Sequence, residues 1–228
     1  MPRVLSIGAP GNGSGKTRLA VTLLEAFPGA FTAVKFTTVY RDGQNCPKTE
    51  TACACRELHG LYTIISDPAI IEQPDTDTGR LAGAGAARTL WALALPQAHR
   101  RLWDHLTSEV LRPDERVISE GNRIIPALSP EALVIVIGPD VPRSRWKADT
   151  WDLVGRADLV VINAHGPSAG PAAAGSLDPE IRDRTRAPVV VQDVTVPLAG
   201  WSDGTLLRLA SGLLDPAALP RSPHPASL

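Results

Sequence analysis

The sequence has 228 residues, which is enough for one sizeable α/β core. Hydrophobic residues make up 43% of it and charged residues 21%, a balance that excludes a disordered chain. The formal net charge of −1 gives no overall positive field, so we expect neither a nucleic acid nor a membrane as a partner. Because the first residues lead into an apolar strand without a signal-peptide pattern, we expect a cytoplasmic location.

The chain opens with the pattern of a strand, a glycine-rich loop and a helix. Residues 4–7 are apolar, and a helical pattern covers residues 17–26. Glycines let backbone N–H groups face an anion, a lysine serves the β- and γ-phosphates, and a hydroxyl serves Mg²⁺. We therefore predict a P-loop that binds a purine triphosphate with Mg²⁺, although Pro10 stands where the motif usually has its first glycine. The predicted contacts are Gly11, Asn12, Gly13, Ser14, Gly15, Lys16, Thr17 and Arg18.

A cysteine-bearing insertion is predicted after the second strand. Residues 31–36 have the pattern of a strand, whereas residues 37–60 are polar and lack a clear period. The chain has three cysteines, and all lie here: Cys46, Cys53 and Cys55, with His59 close behind. Thiolates gathered near an imidazole predict a Zn²⁺ site or part of an Fe–S cluster, with free thiols as the alternative.

Strand and helix patterns then alternate to the end of the chain. Strand patterns occupy residues 89–95, 116–120, 133–137, 159–163 and 189–191, and helical patterns occupy residues 96–111, 147–154 and 179–185. The order predicts an α/β P-loop NTPase fold, with a doubly wound, mostly parallel sheet flanked by helices. We expect one nucleotide-binding domain at residues 1–214 and a disordered tail at residues 215–228.

Three carboxylates at or near strand ends are candidates for chemistry on a Mg·nucleotide: Glu120, Asp77 and Asp67. Glu120 closes an apolar strand and precedes a glycine, so it fits a Mg²⁺ ligand or a group that orients the attacking atom. Asp77 is the second candidate, and a solvated acid is the alternative for both. We assign catalytic roles to Lys16, Glu120 and Asp77, and Mg²⁺ binding to Thr17 and Glu120.

Three further residues are predicted to contact the nucleotide. Lys35 ends the second strand at the edge where open α/β sheets bind ligands, and Arg80 fits a phosphate fork. Asn163 ends a later strand and fits a reader of the purine edge, but no Asp follows it, so GTP and ATP both stay open. Residues 143–147 form the densest basic segment, which fits either a lid over a transferred phosphate or a solvated loop anchored by tryptophans.

Several segments together resemble the family of molybdopterin-guanine dinucleotide biosynthesis protein B, small GTP-binding accessory proteins of molybdenum cofactor maturation. The similar segments are residues 13–17, Lys35, residues 77–84, Glu120 with Gly121, and residues 157–163. The resemblance implies an NTPase that acts with a partner enzyme, and a homodimer. Two alternatives stay open: a small-molecule kinase or ATP-dependent ligase, and a protein whose nucleotide state gates a metal at the cysteines.

Overall fold

The computed structural model describes residues 1–40, 54–138, 140–165 and 179–215. The strands in these residues are β1 (Arg3–Gly8), β2 (Thr32–Thr38), β3 (Tyr62–Ile65), β4 (Arg88–Ala94), β5 (Arg116–Glu120), β6 (Ala132–Ile137), β7 (Leu159–Asn163) and β8 (Val189–Gln192). They form one sheet in the order β3-β4-β2-β5-β1-β6-β7-β8. Every neighbouring pair is parallel except β3 and β4, which are antiparallel.

Helices cover both faces of the sheet. The α-helices of the described residues are α1 (Lys16–Ala26), α2 (Pro68–Ile71), α3 (Asp77–Gly83), α4 (His99–His105), α5 (Ile125–Leu128), α6 (Thr150–Arg156), α7 (Pro179–Arg184) and α8 (Thr205–Leu214). Short 3₁₀ turns occur at Ala54–Glu57, Pro96–Ala98, Arg143–Arg145 and Leu198–Gly200, and a π-helical turn at Leu106–Val110. None of the helices in the described ranges is both long and apolar enough to cross a membrane.

The core forms because side chains of successive strand residues point to opposite faces. On one face, Leu5 and Ile7 pack with Leu23 of α1 and Leu206 of α8. On the other face, Val4 packs with Leu102 of α4. Since strands such as β6 are buried along their whole length, both faces of the sheet have to be covered. The predicted doubly wound, mostly parallel fold is confirmed.

Several element boundaries differ from the prediction. β2 continues through Thr37 and Thr38, which pair with β4, so the strand is longer than predicted. The predicted insertion therefore begins later, and its residues 41–53 lie outside the described part of the chain. The helix predicted at residues 96–111 is divided into a 3₁₀ turn, α4 and a π-helical turn. The tail predicted from residue 215 lies, after its first residue, outside the described residues.

Candidate functional site

The glycine-rich loop between β1 and α1, residues 9–15, contacts the side chain of Lys16. We call it the phosphate loop, after the function predicted from the sequence. Nζ of Lys16 donates a hydrogen bond to the carbonyl of Gly11 at 3.0 Å, and the hydroxyl of Ser14 donates to the same carbonyl at 3.1 Å. Gly13 and Gly15 have φ angles of 79° and 103°, a conformation that glycine adopts without strain. The loop therefore surrounds an ammonium group at the amino end of α1, where the helix dipole favours an anion.

Four of the predicted residues meet beside this loop. The hydroxyl oxygen of Thr17 lies 2.9 Å from Oε2 of Glu120 and 3.1 Å from Oδ1 of Asp77, so its single hydrogen can be donated to either carboxylate. Nζ of Lys35 lies 2.6 Å from Oδ2 of Asp77 and 2.6 Å from Oε1 of Glu120. The side chain of Glu120 is 2% exposed, so this carboxylate is a buried charge that Lys35 neutralises. We call this set, Thr17, Lys35, Asp77 and Glu120, the charge cluster.

Different elements deliver each member of the charge cluster. β2 and β5 are parallel neighbours, and their register places Lys35 beside Glu120. Asp77 is the first residue of α3, and the Thr76 side chain caps this helix by accepting from the amide of Gly79 at 3.0 Å. A Cβ on Gly79 would lie 2.2 Å from the carbonyl oxygen of Gln73. Position 79 in α3 therefore requires glycine, because the preceding turn passes so close to it.

The charges of the two partly buried lysines, Lys16 and Lys35, are neutralised to different degrees. Burial lowers the pKa of Lys16 to about 8, with Glu120 opposing the shift and the charges of Lys147 and Lys35 adding to it. Burial also acts to lower the pKa of Lys35, but the charges of Glu120 and Asp77 raise it above the usual value. Burial would raise the pKa of Asp77, and Lys35 lowers it. Lys35 is thus compensated by its own carboxylates, whereas the charge of Lys16 would gain from an anion.

Asn122 fixes the start of the loop and was not predicted. It is 3% exposed, its Oδ1 accepts from the amide of Ala9 at 2.9 Å, and its Nδ2 donates to the carbonyl of Ala9 at 2.6 Å. This pair of bonds joins the residues after β5 to the residues after β1. The available signal was its position two residues beyond the strand end at Glu120, at the same edge of the sheet.

Asn163 braces the end of the loop. Its Nδ2 donates to the carbonyl of Ser14 at 3.3 Å, and its Oδ1 accepts from the amides of His165 at 3.0 Å and Val194 at 3.4 Å. The side chain therefore holds the phosphate loop against the carboxyl end of β7. Its predicted contact with a purine base stays a prediction.

The other predicted nucleotide contacts lie on the surface around the loop. Asn12 and Arg18 are exposed, the first in the loop and the second on α1. Arg80 is exposed on α3, and its charge is among those that lower the pKa of Asp77. Their roles stay predictions.

The predicted cysteine site lies largely outside the described residues. Cys46 and Cys53 fall in the undescribed range, as does the side chain of Cys55. His59 is exposed, and its backbone amide donates to the Thr63 hydroxyl at 2.7 Å. Among the residues that the structure does describe, no group of three or more His, Cys, Asp or Glu side chains is arranged to hold a metal ion.

A glycine loop joins the central parallel strand β1 to α1, and Lys16 and Thr17 stand at the start of that helix. This is the strand, loop and helix arrangement of a P-loop fold. No family model and no curated protein matches the sequence. Among solved structures, the chain is similar to HypB from Helicobacter pylori in complex with nickel, with 16% identity and a TM-score of 0.47 over 98% of this chain and 91% of that chain. It is also similar to the septum site-determining protein MinD from Pyrococcus horikoshii OT3 complexed with Mg-ADP, with 12% identity and a TM-score of 0.42 over 98% of this chain and 100% of that chain.

Proposed function

We propose that this protein binds a purine nucleoside triphosphate, ATP or GTP, together with Mg²⁺. The observation that carries the proposal is the arrangement at the start of α1, where the Lys16 ammonium, the Thr17 hydroxyl and two carboxylates lie around one glycine loop. A helix start with a glycine loop offers backbone N–H groups to phosphate oxygens, and Lys16 adds a positive charge. Burial destabilises the charged form of Lys16, as its lowered pKa shows. A bound anion would stabilise that charged form.

The oxygens of the charge cluster fit a Mg²⁺ ion. Mg²⁺ is bound in proteins by one or two carboxylates, hydroxyl oxygens and phosphates, and Thr17, Glu120 and Asp77 offer this set. The ammonium of Lys35 lies between the two carboxylates. This shows that the two carboxylates are close enough together to bind one positive charge. When bound, the ion would neutralise charge on the phosphates. The role of Lys35 is to hold both carboxylates in place.

Within this class we propose an NTPase accessory protein of cofactor or metal-centre maturation, like the molybdopterin-guanine dinucleotide biosynthesis protein B family. The support comes from Lys35, Asp77 and Glu120, which carry part of the sequence resemblance and lie far apart in the chain. They meet in one cluster, with Lys35 2.6 Å from each carboxylate. We expect slow hydrolysis by the isolated protein, with a partner enzyme needed for its function.

A second candidate is a small-molecule kinase or ATP-dependent ligase. Beyond Lys35, β2 ends in Thr38, whose hydroxyl lies 3.0 Å from Nε2 of His99. Burial, together with the charge of Arg123, lowers the pKa of His99 and so favours its neutral form, which can accept a proton from an acceptor molecule. In this case the phosphoryl group passes to the acceptor, so release of the nucleoside diphosphate should rise above the basal rate when the right acceptor is added.

Metal binding by Cys46, Cys53 and Cys55 is a third, separate proposal. It rests on the sequence alone, because three thiols lie within ten residues of a chain that has no other cysteine. Metal analysis of anaerobically purified protein tests it. A sample that contains neither zinc nor iron would remove this candidate and leave the nucleotide proposal standing.

The replacement Lys16→Ala tests nucleotide binding directly. We expect the variant to lose measurable affinity for ATP and GTP while retaining its fold, because Lys16 serves the phosphates and contacts only a loop carbonyl by hydrogen bonding. Calorimetry in the presence of Mg²⁺ measures the affinity, and circular dichroism reports the fold. Arg101→Ala, at an exposed position on α4, is the matched loss of a positive charge and should bind like the parent. Equal affinities of Lys16→Ala and the parent would refute the proposal.

A further inference from the structure

The segment after β6 packs directly against the phosphate loop. The backbone amide of Lys147 donates to the carbonyl of Pro10 at 3.0 Å. A Cβ on Gly11 would lie 2.8 Å from Cγ1 of Val141, and a Cβ on Gly138 would lie 2.8 Å from Cα of Ser14. Because both close approaches require glycine, the loop and this segment are fitted to each other.

Lys147 brings another positive charge to the same loop. It is half-buried, and its charge is among those that lower the pKa of Lys16. Burial lowers the pKa of Lys147, Asp149 opposes this shift, and the charge of Arg123 adds to it. The backbone hydrogen bond to Pro10 holds Lys147 beside the loop that carries Lys16. Like charges held together in a partly buried space repel one another, and an anion between them relieves that repulsion.

The segment that carries Lys147 is held in place by stacked aromatic and cationic groups. The guanidinium of Arg143 lies 4.3 Å from the ring centroid of Trp146 and 4.5 Å from that of Trp151. The two tryptophan rings are 5.0 Å apart, and Nη1 of Arg143 lies 3.2 Å from Oε2 of Glu180 on α7. These contacts flank Lys147 on both sides in the sequence. The two interpretations of residues 143–147, a loop anchored by tryptophans and a segment that serves a phosphate, are therefore compatible. The tryptophans hold the segment, and the segment positions Lys147.

We propose that Lys147 contacts the terminal phosphate and makes the site selective for a nucleoside triphosphate over a diphosphate. This proposal rests on the nucleotide binding proposed above. In P-loop proteins the metal-binding groups lie beside the γ-phosphate. The segment that carries Lys147 is bonded to Pro10 and packs closely against Ser14 of the phosphate loop. Lys16 reaches the phosphates from within the loop, whereas Lys147 enters from the segment that packs on Pro10. The extra negative charge of a third phosphate would lie between the ammonium groups of Lys16 and Lys147.

Calorimetry on Lys147→Met tests the proposal with defined probes. These are the non-hydrolysable imido analogues of ATP and GTP on one side, and ADP and GDP on the other, all with Mg²⁺. We expect triphosphate affinity to fall by roughly 10- to 100-fold, the loss that follows from removing one hydrogen bond to a charged group. Diphosphate affinity should change by no more than about twofold, because the diphosphate lacks the contacted group. The matched control is Arg145→Met, an exposed cation on the same segment, which should change neither affinity.

Each outcome separates the two proposals. If the parent binds neither triphosphate nor diphosphate, the proposed function fails. If the parent binds and Lys147→Met loses affinity equally for both, or for neither, the role of Lys147 is overturned and nucleotide binding stands. If Lys147→Met does not fold, Lys147→Gln provides the same comparison, since it removes the charge and keeps an extended polar side chain. Lys147→Arg should retain the preference for the triphosphate.

Discussion

Gly15 joins the phosphate loop to α1 at a position where a side chain meets two obstacles. Its φ of 103° lies in the left-handed region, which is costly for any residue with a Cβ. A Cβ there would also lie 2.7 Å from Nδ2 of Asn163, the amide that braces the loop. The glycine is therefore required by the backbone and by the neighbouring strand end at the same time.

We predict that Gly15→Ala weakens both the fold and nucleotide binding. The left-handed conformation alone costs about 1–2 kcal/mol with a Cβ present, and the displaced Asn163 releases the Ser14 carbonyl. Urea unfolding measures the first effect, and calorimetry with the parent's nucleotide measures the second, for which we expect at least a roughly tenfold loss.

Gly83→Ala is the matched control for this prediction. Gly83 is the last residue of α3, and a Cβ there would meet nothing within 4 Å. Alanine should be neutral or stabilise the protein by about 0.5–1 kcal/mol. If Gly15→Ala is as stable as Gly83→Ala and binds nucleotide as tightly, then position 15 does not require glycine.

Glu115 ties three neighbouring strands together at the edge of the sheet opposite the phosphate loop. The Thr32 hydroxyl at the start of β2 donates to Oε1 of Glu115, as does Nε of Arg88 on β4 at 2.9 Å. The backbone amide of Arg112 and Nη2 of Arg88 donate to Oε2 at 2.8 Å and 3.0 Å. Burial by itself would raise the pKa of Glu115, but these hydrogen bonds lower it below the usual value.

This arrangement predicts a pH-dependent contribution to stability. The pKa of Glu115 is lower in the folded than in the unfolded protein, so the contribution is present above the ordinary carboxyl pKa and is lost as pH falls through the folded-state pKa. Glu115→Gln should lower the free energy of unfolding at pH 7 by about 1.5–3 kcal/mol. In urea titrations the difference from the parent should shrink as the pH is lowered below the ordinary carboxyl range.

Glu25→Gln, at an exposed position of α1, is the control for Glu115. It should leave the free energy of unfolding nearly unchanged at every pH. If the difference in free energy of unfolding between Glu115→Gln and the parent stays constant from neutral to acid pH, the charge of the Glu115 carboxylate does not stabilise the contacts between these strands.

The elements that sequence patterns identify well are the buried strands. β6 and β7 are continuous β-branched or apolar runs, and only strands covered on both faces combine that composition with such short length. α3 was missed because its residues Asp77–Gly83 include one threonine and two glycines, which disfavour a helix. The helix forms because Thr76 caps it and Leu81 is buried against the core, and both effects depend on contacts made after folding.

The candidate site was predictable residue by residue but not as an arrangement. Asp77 and Glu120 stand at element ends, and Lys35 was predicted near a strand end although β2 continues to Thr38, so their types and positions point to ligand chemistry. Their meeting depends on the register of β2 against β5, which the sequence does not display. The hydrogen bonds of Asn122 to Ala9 and of Lys147 to Pro10 form only in the folded chain, so the sequence shows no more than the position of Asn122 after a strand end.

Across the whole molecule, the strand order explains why one edge of the sheet carries the chemistry. β1 lies between β5 and β6, and the next parallel neighbours are β2 and β7. The carboxyl ends of these five strands share one edge, where the phosphate loop, the charge cluster, Gly138 and Asn163 lie. Glu115 lies at the other edge. A change at Glu115 should therefore alter stability without touching the binding groups.

Ligand binding should stabilise the whole fold, since the phosphate loop touches segments from both halves of the chain. A ligand bound only by the folded state, at 100 times its dissociation constant, adds about 2.7 kcal/mol. For a chain of this length that corresponds to a rise in Tm of roughly 5–10 °C. Thermal unfolding with Mg²⁺ and either ATP or GTP should show this rise, with a smaller one when Mg²⁺ is withheld. Lys16→Ala should show none, and an equal rise in that variant would place the nucleotide somewhere other than the phosphate loop.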